Sequence, residues 1–235
     1  MGSTRLPGKV LADLQGKPAI DRLVSRLTRS ESIDDIVLAT SVSPLDDVLA
    51  NWAGLNGISV FRGSEDDVLG RVVAAHEMMG TQIAVEITGD CVLLDPVIVD
   101  LAVETFLGNV CDIVTNSAVR AYPLGMDLDV FDYSALASIE AAHDDPAVRE
   151  HVCLYFYEHP DEFRMINIYP PPSWSGADIR LVLDYPEDLE LINEVWKRLT
   201  ISYGEAFGVG EIVELFKSCP ELLEINHGCL QKSPR

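Results

Sequence analysis

Along most of its length this 235-residue chain alternates short, continuously apolar runs with longer stretches whose apolar residues recur every three or four positions. The short runs at 35–40, 58–61 and 83–88 have little polar alternation, as expected of strands buried on both faces. Ile20, Leu23, Val24 and Leu27 fall at helical spacing after Gly16-Lys17-Pro18. Helical stretches follow at 44–55 and 65–79, and another opens at Asp95-Pro96, an acid at a capping position with proline in the first turn. Beyond these, strands are expected at 112–115, 126–131, 163–168 and 179–184. Helices are expected at 133–142, 146–157, 186–199 and 209–218. Strands buried on both faces need helices on both sides, and parallel neighbours need crossovers. The pattern therefore predicts an α/β fold: a three-layer α/β/α sandwich with a mostly parallel sheet. One domain spans 1–235, ending in a helical tail from about 205. Pro170-Pro171-Pro172 makes a stiff loop.

With 48% hydrophobic residues the chain has ample material for a core, which excludes disorder as a class. Lys+Arg is 17 and Asp+Glu 38, so 17 − 38 gives a net charge of −21. A field of that sign repels nucleic acid and anionic membrane surfaces and excludes both as main partners. The few basic residues become informative, because an anionic ligand has to find them. The five cysteines are scattered, with no C-x-x-C pair, the usage of reduced thiols in a cytoplasmic protein. No run approaches the roughly 18 apolar residues of a membrane helix.

Chemistry concentrates first in Gly2-Ser3-Thr4-Arg5-Leu6-Pro7-Gly8-Lys9. Small residues let backbone N–H groups close around an anion, Arg5 can fork onto phosphate oxygens, and Lys9 adds a point charge. Val10 follows Lys9, so this is not a Walker A loop. A frayed terminus is the competing reading. No apolar run precedes Gly2, although a phosphate loop in such a fold normally follows a buried central strand. Either the start lies upstream or the sheet has lost its first strand, and the former is favoured because a lost central strand leaves two neighbours with unpaired backbone groups.

Acids at the ends of expected strands come next. Asp90 follows the expected strand at 83–88 and Asp184 ends the one at 179–184, where ligands of open α/β sheets collect. Two carboxylates suit Mg²⁺, with nucleotide phosphates and water completing the octahedron; taken singly, each also reads as a turn or capping residue. Asp127 and Asp129 alternate along one expected strand and so share a face, either a substrate or metal face or a solvated one. Arg71 reaches a nucleotide or substrate carboxylate, or pairs with Glu65-Asp66-Asp67 on the helix surface. Thr40, Ser41 and Ser64 follow strands and offer polar contacts for a base. Arg149 and His151 offer contacts to an acidic substrate, or cap and pack.

The loop at 2–9 resembles the signature loop of the CMP-sugar synthetases, in particular the SpsF-like cytidylyltransferases related to CMP-KDO and acylneuraminate cytidylyltransferases. The resemblance continues in order through Val60-Phe61-Arg62-Gly63-Ser64-Glu65-Asp66-Asp67-Val68-Leu69-Gly70-Arg71, Ile87-Thr88-Gly89-Asp90-Cys91, Leu94-Asp95-Pro96, Arg149-Glu150-His151-Val152, Leu183-Asp184-Tyr185-Pro186-Glu187-Asp188 and Glu221-Leu222-Leu223-Glu224-Ile225-Asn226. It implies the nucleotide-diphospho-sugar transferase fold, commonly homodimeric. It implies transfer of CMP from CTP to a nonulosonic or 2-keto-3-deoxy sugar acid for a surface polysaccharide such as a spore coat, with release of pyrophosphate. By the same resemblance Asp90 and Asp184 hold Mg²⁺. Arg5, Lys9 and Asp90 carry the chemistry. Gly2, Ser3, Thr4, Thr40, Ser64 and Arg71 join them around the nucleotide, and Asp127, Asp129, Arg149 and His151 lie toward the acceptor.

The chain departs from its look-alikes at three places. Glu86 stands where Arg or Asn is common, Leu124 where Arg is frequent, and Cys153-Leu154 where Thr-Pro is frequent. Two other readings stay open: a nucleotidyltransferase for a polyol phosphate or phosphonate, and a non-catalytic homologue. A phosphate-bearing acceptor calls for extra Arg or Lys, which this acidic chain scarcely has.

Overall fold

A computed structural model describes residues 1–231, so the last four residues of the expected tail lie outside it. The chain begins with the loop and a single 3₁₀ turn at Lys9–Leu11. A two-stranded hairpin follows, β1 (Asp13–Leu14) against β2 (Lys17–Pro18). Gln15 and Gly16 both take positive φ in its turn, the conformation that matches strand twist in a two-residue connection. The succession is then α1 (Ala19–Leu27), β3 (Val37–Ser41), α2 (Asp47–Leu55), β4 (Ser59–Gly63), α3 (Val68–Met79), β5 (Ile83–Glu86) and α4 (Pro96–Gly108). It continues with β6 (Ile113–Thr115), β7 (Asp129–Asp132), α5 (Tyr133–Ala142), α6 (Pro146–Glu150), α7 (Leu154–Glu158), β8 (Met165–Asn167), α8 (Pro186–Tyr203) and α9 (Val209–Ser218).

Side-chain alternation in the central strands explains the layering. Ile113 and Phe131 pair across β6 and β7 and pack with Leu69, Val72, Leu136 and Phe156 of the helices on one face. Their chain neighbours Val114 and Val130 also pair and pack with Ile20, Leu23, Ile98, Leu191 and Val195 of the helices on the other. Successive strand residues point to opposite faces, so each strand feeds two cores and helices must cover both. The result is the expected α/β sandwich.

The sheet is mixed. β3 and β4 pair in parallel, as do β6 and β8, while β7 runs antiparallel between β5 and β6. Strands form two separate blocks in the middle layer, β3-β4 and β5-β7-β6-β8. A cavity of about 710 Å³ lies between them.

Several boundaries differ from expectation for local reasons. Residues 65–67 stay outside α3 because Asp67 caps it, accepting from Gly70 N at 2.9 Å. The helix expected at 146–157 breaks into α6 and α7. The strand expected at 179–184 is not one. Its segment meets Leu124 through Leu124 N to Ile179 O, 2.9 Å, and Leu181 N to Leu124 O, 2.7 Å, a single bridge without a ladder. Gly125 makes this approach possible: its φ is +98°, and a Cβ there would stand 2.5 Å from Val182 N. α9 spans 209–218 as expected and buries Val209, Ile212, Val213 and Phe216. No described helix is long and apolar enough to cross a membrane.

Candidate active site

The N-terminal loop closes on itself. Gly8 N donates to Met1 O at 3.2 Å, Lys9 N to Leu6 O at 3.2 Å, and Leu6 N to Ser3 Oγ at 3.3 Å. Gly8 sits at φ +72°, where a glycine costs least. The terminal amine of Met1 lies 2.6 Å from Asp46 Oδ1. Asp46 in turn accepts from Thr40 Oγ1 at 2.7 Å, Ser41 Oγ at 2.7 Å and Ser41 N at 3.1 Å. The loop is therefore tied to the end of β3, contrary to the reading of a frayed terminus. Asp46 was not among the sequence candidates. Burial would raise its carboxyl, but the Met1 amine and the two hydroxyls hold it far below the usual carboxylate range.

Folded this way, the loop carries its two cations to the two acids singled out in the sequence. Lys9 Nζ stands 2.6 Å from Asp90 Oδ2 and 2.7 Å from Asp184 Oδ1. Arg5 lies 2.8 Å from the other oxygen of Asp184 and over the Tyr185 ring, 5.0 Å from its centroid. Burial opposes the charge on Lys9, but Asp90 and Asp184 hold its pKa above the ordinary lysine value. Burial likewise opposes ionisation of Asp184, yet Lys9 and Arg5 keep its carboxyl below the usual range.

Backbone and partner groups fix both acids. Leu183 N donates to Asp90 O at 3.0 Å, which sets the segment before Asp184 beside the turn after β5. Thr88 Oγ1 donates to Asp90 Oδ1 at 2.7 Å. Asp188, fully buried, accepts from Asp184 N and Tyr185 N at 3.0 Å each and from both forks of Arg180 at 2.9 Å. Arg5, Lys9 and Arg180 stand against Asp90, Asp184 and Asp188, three charges of each sign. The contributions of Asp188 and Arg180 were not anticipated; the four-residue spacing of Asp184 and Asp188 was the available signal.

The donor chemistry fits a divalent cation. Oxygens of Asp90 and Asp184 converge within 2.7 Å of one cationic nitrogen, that of Lys9. Two hard carboxylates of this kind hold Mg²⁺ only together with phosphate oxygens and water. Among the described residues no group of three or more His, Cys, Asp or Glu forms a self-sufficient metal cage.

A second polar group lies at the same end of the sheet. Glu86 pairs with Asp129, Asp129 with Thr115 and Thr115 with Asn167, a row across β5, β7, β6 and β8. Thr115, Asn167 and Glu86 end their strands, so the row sits at the carboxyl ends where ligands of α/β sheets bind. Tyr157 donates to Asp129 and lies 2.8 Å from Thr115 Oγ1 and 3.0 Å from Ser117 Oγ. Burial, with Asp129 opposite, pushes the Glu86 carboxyl up to about 7, Arg71 acting against this. Burial raises Asp129 as well, against the hydrogen bond of Tyr157.

Other candidates take different places. Asp127 precedes β7 and pairs with Arg120 at 2.7 Å, while Asp129 bonds Tyr157. Thr40 and Ser41 are buried on Asp46 instead of presenting their hydroxyls to a ligand. Ser64 Oγ accepts from Asp67 N at 3.1 Å, and Arg71 donates to the Ser64 carbonyl. Arg149 grips Asp67 through Nε at 2.7 Å and Glu140 at 2.8 Å, so a contact with an acceptor would have to break these. The Nε2 of His151 is buried without a hydrogen-bond partner. Gly2 lies against Glu65, a Cβ there reaching 3.1 Å from Oε1. All five cysteines are free thiols.

Comparison with known proteins agrees with this architecture. A solved cytidylyltransferase from Leptospira borgpetersenii superposes with a TM-score of 0.89 at 29% identity, covering 99% of this chain and 95% of that one. A CMP-2-keto-3-deoxy-manno-octonic acid synthetase solved with CTP superposes at 0.61 and 16% identity over 84% of this chain and 95% of that one, a likeness of fold. In sequence, the spore coat polysaccharide biosynthesis protein SpsF of Bacillus subtilis is 33% identical over 205 residues, 84% of this chain and 83% of that protein. An uncharacterized protein of Methanocaldococcus jannaschii is 32% identical over the whole chain and 94% of its own length. The family described as cytidylyltransferase matches residues 1–209, and with relatives of this identity and coverage the chain belongs to the cytidylyltransferase family of nucleotidyltransferases.

Proposed function

We propose that the protein transfers CMP from CTP to a sugar acid of the nonulosonic or 2-keto-3-deoxy type, releasing pyrophosphate, with Mg²⁺ as cofactor. The observation that carries this reading is the convergence of Arg5 and Lys9 on Asp90 and Asp184 at the carboxyl end of β5. Mg²⁺ bound by Asp90 and Asp184 would neutralise phosphate charge and align the nucleotide. Lys9, freed from the carboxylates as phosphate oxygens arrive, would stabilise the charge that develops on the departing pyrophosphate. Arg5 offers a planar fork to the same oxygens, with its back against the Tyr185 ring. The sugar hydroxyl attacks the α-phosphorus as the bond to the β-phosphate breaks; positioning and electrostatics suffice, and no covalent enzyme intermediate is needed. The names of the similar proteins, a spore coat polysaccharide protein and 3-deoxy-manno-octulosonate cytidylyltransferases, support a role in surface polysaccharide synthesis. A homodimer acting in the cytoplasm completes the proposal.

The test is pyrophosphate release with CTP, UTP, ATP or GTP against a panel of sugar acids, with and without Mg²⁺. Release should need CTP, the metal and one acid of the panel, and Asp90→Ala should abolish it. Absence of CTP-dependent release with every acid, or release by Asp90→Ala at the parental rate, would sink the reading.

A further inference from the structure

The carboxylate beneath Asp184 is held from a third place in the chain. Asp188 Oδ2 accepts from the backbone of Asp184 and Tyr185 and from one fork of Arg180. Its Oδ1 accepts from Arg180 Nε at 2.9 Å and from Asn226 Nδ2 at 2.8 Å. Asn226 lies beyond α9, after a 3₁₀ turn at Pro220–Glu224 that the buried Leu222 anchors in the core. Its side chain is buried, and the same Nδ2 also donates to Arg180 O at 3.1 Å. A side-chain amide nitrogen has two hydrogens to give, and both go to the Arg180–Asp188 pair. The residues that follow lie against the same groups. Gln231 Oε1 accepts from Arg180 Nη1 at 3.1 Å, and Leu230 O from the Tyr185 hydroxyl at 3.4 Å.

Arg180 faces two acids. Its Nη2 stands 2.9 Å from Asp188 Oδ2 and 3.6 Å from Asp184 Oδ2, the oxygen that Arg5 reaches at 2.8 Å. We propose that Asn226 is a positioning residue for the active site: by fixing the Asp188 carboxylate it keeps Arg180 off Asp184 and leaves Asp184 to the metal. The proposal rests on the reading above that Asp90 and Asp184 hold Mg²⁺. Without Asn226, Asp188 Oδ1 keeps one donor of two, and a buried carboxylate short of a donor turns to regain one. That turn loosens its hold on the amides of Asp184 and Tyr185. It also releases Arg180 toward Asp184, where a guanidinium competes with a metal for the same oxygens. Groups that orient metal ligands from behind in this way commonly set metal affinity by about 10–100-fold.

The experiment follows Mn²⁺ binding by its EPR signal, with CTP present and no acceptor, in the parent, Asn226→Ala and Leu222→Ala, each well below its own Tm. Asn226→Ala should weaken Mn²⁺ binding by about tenfold or more. Amide exchange at Asp184 and Tyr185 should quicken in the same variant with no metal or nucleotide present. Leu222→Ala removes a buried side chain of the same segment that packs in the core. It should lower Tm and leave Mn²⁺ affinity at the parental value. Asn226→Ser, a milder change that keeps a shorter donor, should show a smaller loss and covers the case in which Asn226→Ala does not fold. Parental Mn²⁺ affinity in the Asn226 variants, or an equal loss in Leu222→Ala, would overturn the inference. A parent that binds no Mn²⁺ with CTP would instead remove Asp90 and Asp184 as the metal site, and this inference with them.

Discussion

Lys9 Nζ stands 2.7 Å from Asp184 Oδ1, across 175 residues of sequence, and the same nitrogen holds Asp90 at 2.6 Å. Neither acid is adjacent to the loop in the chain. The contact joins the N-terminal loop to two carboxylates from distant parts of the chain, and it converts three weak sequence signals into one site.

Replacing Lys9 by Met keeps the apolar stem and removes the charge. Asp90 and Asp184 then repel each other, and the Asp184 carboxyl should titrate closer to the ordinary aspartate range. Turnover in the pyrophosphate assay should fall by about 10²–10³-fold, the usual effect of losing one transition-state charge contact. A loss under tenfold would remove Lys9 from the chemistry.

Asp188 organises the site without facing a ligand. Asp188→Asn keeps the size but leaves Arg180 half-satisfied beside Asp184. Breaking a buried pair from one side costs about 3–5 kcal/mol, so urea unfolding should shift accordingly, and turnover should drop with the loss of the Asp184 backbone anchor. An unchanged midpoint would mean that the pairing is not maintained in solution.

Gly125 holds the approach of 179–181 to Leu124. Gly125→Ala places a methyl 2.5 Å from Val182 N at φ +98°. Backbone strain alone costs about 1–3 kcal/mol. Lower stability should come with weaker catalysis, because the displaced segment leads into Asp184. A variant as stable and active as its parent would show that the segment is not held there.

Glu86 gives a pH signature. Its folded pKa of about 7 lies above the ordinary value of 4.5. The folded state thus binds more protons than the unfolded state between those values, and stability falls as pH rises through that window. Glu86→Gln should stabilise the protein at pH 8 by up to about 3 kcal/mol and change little at pH 4. Urea melts of both proteins at the two pH values check this; an equal effect at both would assign the change to packing rather than ionisation.

Arg149 separates structure from substrate binding. It joins the cap of α3 to α5 through Asp67 and Glu140. Arg149→Met should lower stability by about 1 kcal/mol, the modest value of a half-exposed pair, without a selective rise in the KM of the acceptor. A large KM effect with unchanged stability would return Arg149 to the acceptor site.

What the sequence determined was local. Apolar periodicity placed helices and buried strands, as at 209–218, because burial on one stripe or two faces leaves a pattern that needs no knowledge of neighbours. Gly2 to Lys9 carried the family resemblance for the same reason, since a loop's residue types record its own chemistry. The tertiary structure decided pairing and partners. It turned the apolar run at 179–184 into a single bridge against Leu124, because ladders depend on which edge is within reach. It drew Thr40 and Ser41 onto Asp46 and set Asp188 beneath Asp184. It left the edges of β3 and β5 facing one cavity. A hydrogen bond or ion pair belongs to two residues at once, and for partners more than a hundred positions apart only the folded chain brings the second one near.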